Sequence, residues 1–185
     1  MKRLLAVALL AGCATAGGPT PLFDGTRLDG WDRLGDANWR LEEGAVVADK
    51  GGKTPSYLVS KDSFADFELK VEFWMDERGS SGVFFRCSSA KQVGAANCYE
   101  AQIADDRKDG FSTGALTNLV KVSAPHKAAG RWNTYVITAK GADIVLNLNG
   151  VTTATIRHEQ YKAGPIALQW LGGTMKFRRV EIRPL

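Results

Sequence analysis

Apolar and polar residues alternate with a period of two along most of this chain. The cleanest run is 67–75, with Phe67, Leu69, Val71, Phe73 and Met75 on one side and Glu68, Lys70, Glu72 and Trp74 on the other. Side chains of a strand point alternately to its two faces, so this run predicts a strand with one buried face. Further runs of the same kind lie at 39–41, 45–48, 57–60, 115–122, 132–139, 144–149, 151–157, 166–171 and 175–182. Turn signals separate them: Asp24-Gly25, Asp29-Gly30, Glu43-Gly44, Gly172-Gly173 and Asn149-Gly150. The last is the strongest, because both residues tolerate the positive φ angles of a two-residue hairpin. Between them, 21–31 reads as turns with Phe23, Leu28 and Trp31 as anchors. No convincing amphipathic helix interrupts the series. Short strands at near-regular spacing predict an all-β sandwich or barrel, and the lack of a longer repeat argues against a propeller or solenoid.

Two of the runs differ from the rest. Residues 83–87 and 98–104 flank a loop of small residues, and each carries polar groups within an apolar strand. In the second run Tyr99, Ala101 and Ile103 share one face, while Glu100 and Gln102 share the other. In the first, alternation pairs Phe84 with Arg86, opposite Val83 and Phe85. A carboxylate, an amide and a guanidinium need partners when water is removed. Two readings fit: a solvated sheet face, common in antiparallel sheets, or a face that holds a polar ligand.

Composition narrows the class. With 185 residues, 44% hydrophobic and 24% charged, the chain can bury a sizeable core. The first twelve residues set Lys2-Arg3 before the apolar run 4–11, too short to cross a bilayer as a helix. Leu10-Ala11-Gly12-Cys13 resembles a bacterial lipobox, in which cleavage precedes a lipidated cysteine. The expectation is therefore a signal peptide at 1–12, a lipidated Cys13 with a flexible tether at 13–20, and one β-sandwich domain at 21–185. Several acyl chains would anchor such a protein stably. Ala14 rather than aspartate after the cysteine favours the periplasmic face of an outer membrane. Removing Lys2 and Arg3 leaves 22 basic against 20 acidic residues. No basic stripe tracks one face, so no nucleic-acid partner is expected.

Cys87 and Cys98 then remain, and export favours a disulfide between them. Parity stands in the way. Cys87 alternates with Phe85 but Cys98 with Glu100, and opposed residues of an antiparallel pair share a face. Either a bulge intervenes or the cysteines lie just outside the ladder.

Several familiar sites are missing. His126 and His158 have no companions at metal-ligand spacing, and no G-x-S-x-G elbow or phosphate-binding loop occurs. Glu100 and Asp105 are the carboxylates nearest the polar face, yet five residues apart they fall on opposite faces of an ideal strand. They converge only if Asp105 lies past the strand end, so spacing gives little support for a two-carboxylate glycosidase. Trp74, Trp170 and Tyr99 offer flat faces for a sugar ring, and core packing explains them equally well.

The ordered motifs carry a resemblance. LFDGTRLDGW at 22–31, DFELKVEF at 66–73, SGVFFR at 81–86 and YEAQIAD at 99–105 come first. TGAL at 113–116, RWNTY at 131–135, NLNG at 147–150, GPIALQ at 164–169 and FRRVEIRPL at 177–185 follow. In order and spacing the chain resembles the bacterial 3-keto-disaccharide hydrolase family, also described as 3-keto-glucoside-1,2-lyases and 3-keto-2-hydroxy-glucal hydratases. The resemblance implies a concanavalin A-like jelly roll of two antiparallel sheets. It implies a small-molecule sugar substrate and a pocket on one sheet. Arg86, Glu100, Gln102, Asp105 and Gln169 would lie there. Glu100 or Asp105 would act as base and Arg86 as stabiliser of negative charge. Gln102 and Gln169 would bind hydroxyls, with Tyr99 and Trp170 as further contacts. No cofactor is identified; the resemblance admits a divalent cation, for which the sequence shows no complete ligand set. Two positions depart from the family pattern. Ser80 stands where many members have asparagine, and Leu171 where many have a histidine two residues after the LQ pair. The second departure keeps a non-catalytic, lectin-like carbohydrate-binding role open as the alternative.

Overall fold

The computed structural model describes residues 18–185; the expected signal segment, Cys13 and most of the expected tether lie outside the described residues. Thirteen strands follow one another among the described residues. They begin with β1 (Thr20–Phe23), β2 (Trp31–Leu34), β3 (Arg40–Glu42), β4 (Ala45–Ala48) and β5 (Ser56–Phe64). Next come β6 (Phe67–Met75), β7 (Ser81–Phe85), β8 (Tyr99–Ile103) and β9 (Asn133–Lys140). β10 (Asp143–Leu148), β11 (Val151–Arg157), β12 (Gly164–Trp170) and β13 (Met175–Pro184) complete the chain. Eight form one sheet, in the order β11-β10-β9-β6-β13-β4-β3 with β1 also on β13; five form the other, in the order β2-β5-β12-β7-β8. Neighbours within each sheet are antiparallel. The expected all-β jelly-roll sandwich is what the chain forms.

The period-two runs account for the core. Phe67, Leu69, Val71 and Phe73 of β6 are fully buried, each contributing roughly 1.5–3 kcal/mol through removal of apolar surface from water. They pack with Leu58, Val83, Phe85, Ile103, Ile166 and Leu168 of the five-stranded sheet. Asn149 and Gly150 join β10 to β11 with φ of 53° and 87°, the left-handed pair that a tight hairpin turn needs.

Three local expectations change. Thr20–Phe23 and Trp31–Leu34 are strands rather than turns and anchors. They are short edge pieces whose pairing with β13 and β5 comes from tertiary contact, not from an internal pattern. The run 115–122 is not a strand. Leu116 and Val120 hydrogen-bond each other's backbones, with Asn118 at φ 64°, closing a tight loop. The chain entering that loop lies along the edge of β8: the Gln102 N–H donates to Ala115 O at 3.0 Å, and the Thr117 N–H to Glu100 O at 3.0 Å. An edge strand is thereby covered, and Thr117 is placed beside Glu100.

The third change concerns Arg86, which takes φ 51°. This left-handed residue just after β7 breaks the alternation. Cys87 consequently lies with Phe84, Tyr57, Val59, Ala167 and Cys98, away from the main core. The parity obstacle disappears, and Cys87 and Cys98 form a disulfide with Cα atoms 4.1 Å apart.

Candidate functional site

The five-stranded sheet has two unlike faces. Tyr99, Ala101 and Ile103 of β8, Val83 and Phe85 of β7, and Ile166, Leu168 and Trp170 of β12 face the other sheet. The alternate residues face outward: Glu100, Gln102, Phe84, Gln169 and, from β5, Tyr57. They line a cleft of about 220 Å³, together with Ser80, Gly94, Ala95, Arg107, Thr117 and Leu171. Roomier depressions exist elsewhere on the surface, whereas this cleft is walled by polar side chains withdrawn from solvent.

Register builds it. Glu100 lies opposite Phe84 and Gln102 opposite Gly82. Gly82 leaves room for the Glu100 carboxylate, since a Cβ at that position would meet Glu100 Oε1 at 2.7 Å and its Cγ at 3.0 Å and push the side chain from its place. Glu100 is 7% exposed. Burial raises its pKa to about 7; the Thr117 hydroxyl and the charge of Arg107 pull the other way. The Gln102 side-chain amide donates to Thr117 Oγ1 at 3.3 Å, and that of Gln169 to the Tyr57 hydroxyl at 3.2 Å. Burial and the charge of Glu100 raise the Tyr57 pKa, so this phenol stays protonated near neutrality. The cleft thus holds a carboxylate that exchanges a proton near neutral pH beside amide and hydroxyl groups suited to sugar hydroxyls.

The other sequence-derived candidates lie elsewhere. Arg86 is 1% exposed and turned to the end of the sandwich. Its Nε donates to Ala65 O at 2.7 Å, Nη1 to Gly141 O at 2.8 Å and Nη2 to Asp66 Oδ1 at 2.9 Å. The left-handed backbone that lets the disulfide form also takes this guanidinium away from Glu100. Asp105 does lie past the end of β8, but it turns away from Glu100. Its Oδ1 accepts from the Thr113 hydroxyl at 2.7 Å, and its Oδ2 from the backbone N–H groups of Ala128 and Ala129 at 2.8 and 3.1 Å. With Trp74 it borders a separate depression. Tyr99 and Trp170 belong to the core. The Tyr99 hydroxyl pairs with His158 Nδ1 at 3.0 Å, and the Trp170 indole donates to Gly173 O at 2.9 Å. Their parity had already set them opposite Glu100 and Gln169.

Arg107 was not foreseen. It lies in the charged loop after β8, where no period marks a direction. Asp109 is two residues on, and its carboxylate receives Arg107 Nε at 3.2 Å and Nη2. That fork lowers the Asp109 pKa to about 2. Thr117 and Tyr57 were missed for a similar reason, since each sat in a run whose role in the sheet was unresolved. Ser80 and Leu171, the two departures from the family pattern, both border the cleft. They touch through their backbones, the Leu171 N–H donating to Ser80 O at 3.0 Å.

Among the described residues no three His, Cys, Asp or Glu side chains gather as metal ligands. One carboxylate facing a guanidinium does not fit a divalent cation in this cleft, and no step below passes through one. No described helix is long and apolar enough to cross a membrane.

A sandwich of this topology with a polar cleft on its smaller sheet belongs to the jelly-roll class shared by many carbohydrate-recognising domains. The 3-keto-α-glucoside-1,2-lyase-like domain family matches residues 18–183, and the chain belongs to that family. No curated protein sequence matches it. Among solved structures it is similar to two candidate glycosyl hydrolases from Parabacteroides distasonis. One is 18% identical with a TM-score of 0.80, covering 91% of this chain and 94% of that one. The other is 25% identical with a TM-score of 0.77, covering 91% and 100%. A carbohydrate-binding module from Bacillus subtilis shares the fold at 15% identity and a TM-score of 0.60, over 83% of this chain and 95% of that one.

Proposed function

We propose that this carbohydrate-active protein cleaves the glycosidic bond of 3-keto-glycosides, with Glu100 as the base. The observation that carries the reading is Glu100 itself, a nearly buried carboxylate with a pKa of about 7, beside Gln102, Thr117 and Gln169 in one cleft. Family membership and the likeness to candidate glycosyl hydrolases support the same class of chemistry.

A ketone at C3 acidifies the hydrogen on C2. Glu100 takes that proton, and the C2–H electron pair becomes the enolate of C3. The enolate re-forms the ketone, the C1–O bond breaks, and the leaving alkoxide takes a proton to depart as an alcohol. Water then adds across the C1=C2 bond, hydroxyl to C1 and proton to C2. The sum is hydrolysis to a 3-keto sugar and an alcohol. A single carboxylate near neutral pKa suits the proton steps, so the absence of a second carboxylate in the cleft, which a conventional glycosidase needs, is no obstacle.

The test is incubation of residues 14–185 with 3-keto-trehalose and, separately, trehalose, following products by mass spectrometry. Glucose released from the keto sugar alone supports the reading. Saturable binding of either sugar without turnover supports the lectin-like role instead, which Leu171 at the cleft border favours. The proposed location is the periplasmic face of an outer membrane, through lipid on Cys13. Loss of acyl label in Cys13→Ser tests it.

A further inference from the structure

Among the described residues lining the cleft, two are charged: Glu100 and Arg107. They attract one another through space but form no ion pair. Glu100 is withdrawn onto the sheet, whereas the Arg107 side chain is 41% exposed. Asp109 binds Arg107 Nε at 3.2 Å and one hydrogen of Nη2. No other side chain or carbonyl among the described residues accepts from this guanidinium, so its Nη1 edge is left for a ligand. An anchored guanidinium set apart from a carboxylate, with both bordering one cavity, is the geometry of a site that removes a proton at one end and receives charge at the other.

We propose that Arg107 is the group that holds the C3 oxygen of the keto sugar as it becomes an enolate, with Asp109 as the residue that positions it. This rests on the keto-glycoside reading above, and it assigns to Arg107 the role for which Arg86 is sterically unavailable. In the step concerned, the C2–H bond breaks and its proton goes to the Glu100 carboxylate. The electron pair forms the C2=C3 bond, and the C3 oxygen gains the negative charge that the Nη1 edge of Arg107 meets. No oxidant or further reactant takes part. The interaction strengthens as charge develops, so it accelerates the step rather than merely binding the ketone.

The experiment compares wild type with Arg107→Gln, Arg107→Lys and Asp109→Asn on 3-keto-trehalose, reading kcat and KM separately across pH. Arg107 is exposed, and thermal melts verify that each variant is folded. Removing one such charge-stabilising donor costs on the order of a hundredfold or more. Arg107→Gln should therefore lower kcat by about that factor with little change in KM. Arg107→Lys should recover part of the loss. Removing the positive field should also move the acid limb of the kcat/KM profile to higher pH, which a structural role would not do. Asp109→Asn should cost about tenfold alone and nothing further in the Arg107→Gln background. Wild-type turnover with kcat unchanged in Arg107→Gln, or a loss confined to KM, would overturn the proposal and leave the keto-glycoside reading intact. No turnover by wild type would overturn both.

Discussion

The paired strands β7 and β8 carry an arginine just beyond each end, and the two are put to opposite uses. Arg86, after β7, is sealed in the sandwich and surrounded by backbone carbonyls and Asp66. Arg107, after β8, is tethered at one edge by Asp109 and open at the other. The first guanidinium has its donors committed to three separate segments of chain, at 65–66, Gly141 and Tyr161, so it serves as a fastening. The second keeps unused donors in the same cleft as an ionisable carboxylate, so it is available to a ligand. Side-chain identity is the same; what differs is how many acceptors the fold places around each.

That contrast can be tested by separating stability from activity. The largest effect is expected at the active end. Glu100→Gln should reduce turnover of the keto-glycoside by about a thousandfold, the range for loss of a general base, with the protein still folded. In wild type, kcat/KM should rise with pH through about 7 as Glu100 ionises. The same substitution tests its burial. The folded pKa lies above the unfolded value, so the folded state binds the proton more tightly and stability declines as pH rises from about 4.5 to about 7. Above pH 7 Glu100→Gln should therefore melt higher than wild type, with a gain on the order of 3 kcal/mol at most; below pH 4 the difference should vanish. Equal melting at both pH values would mean that Glu100 is solvated.

The fastening comes next. Arg86→Ala removes the donor from the part-buried carbonyls of Ala65 and Gly141 and from the Asp66 carboxylate, and denaturant titration should report a loss of about 1–3 kcal/mol. Turnover per folded molecule should stay within a factor of a few. A thousandfold fall in kcat in folded Arg86→Ala would restore that residue to the chemistry and undo the comparison.

The disulfide beside it should matter to a similar degree. The double change Cys87→Ser, Cys98→Ser should cost about 2–4 kcal/mol and raise KM, because the loop it closes brings Gly94 and Ala95 to the cleft. An unchanged KM would show that this wall is held by its backbone hydrogen bonds alone.

Smallest is Asp105→Asn, which weakens hydrogen bonds to two backbone N–H groups and a hydroxyl. A loss of about 1–2 kcal/mol in stability is expected, with kcat/KM within twofold of wild type. A pH-dependent collapse of kcat in this variant would make Asp105 the base in place of Glu100.

Alternation along the chain determined the sandwich, because burying one face of a strand demands a period of two and most runs supply it. It also put Glu100 with Gln102, and Gln169 opposite Trp170, since parity within one strand is local and survives folding. The same parity set Tyr99 opposite Glu100 and Trp170 opposite Gln169, against their expected role as sugar contacts, and the structure keeps both in the core. Parity could not survive Arg86, where one left-handed residue turned both the guanidinium and Cys87, and a φ angle is not written in side-chain periodicity. Nor could it show that 113–117 lies along β8 and brings Thr117 to Glu100, because that pairing is made across the edge of a sheet. The loop holding Arg107 has no period at all. Its direction was decided only when Asp109, the end of β8 and the Glu100 face came together in three dimensions.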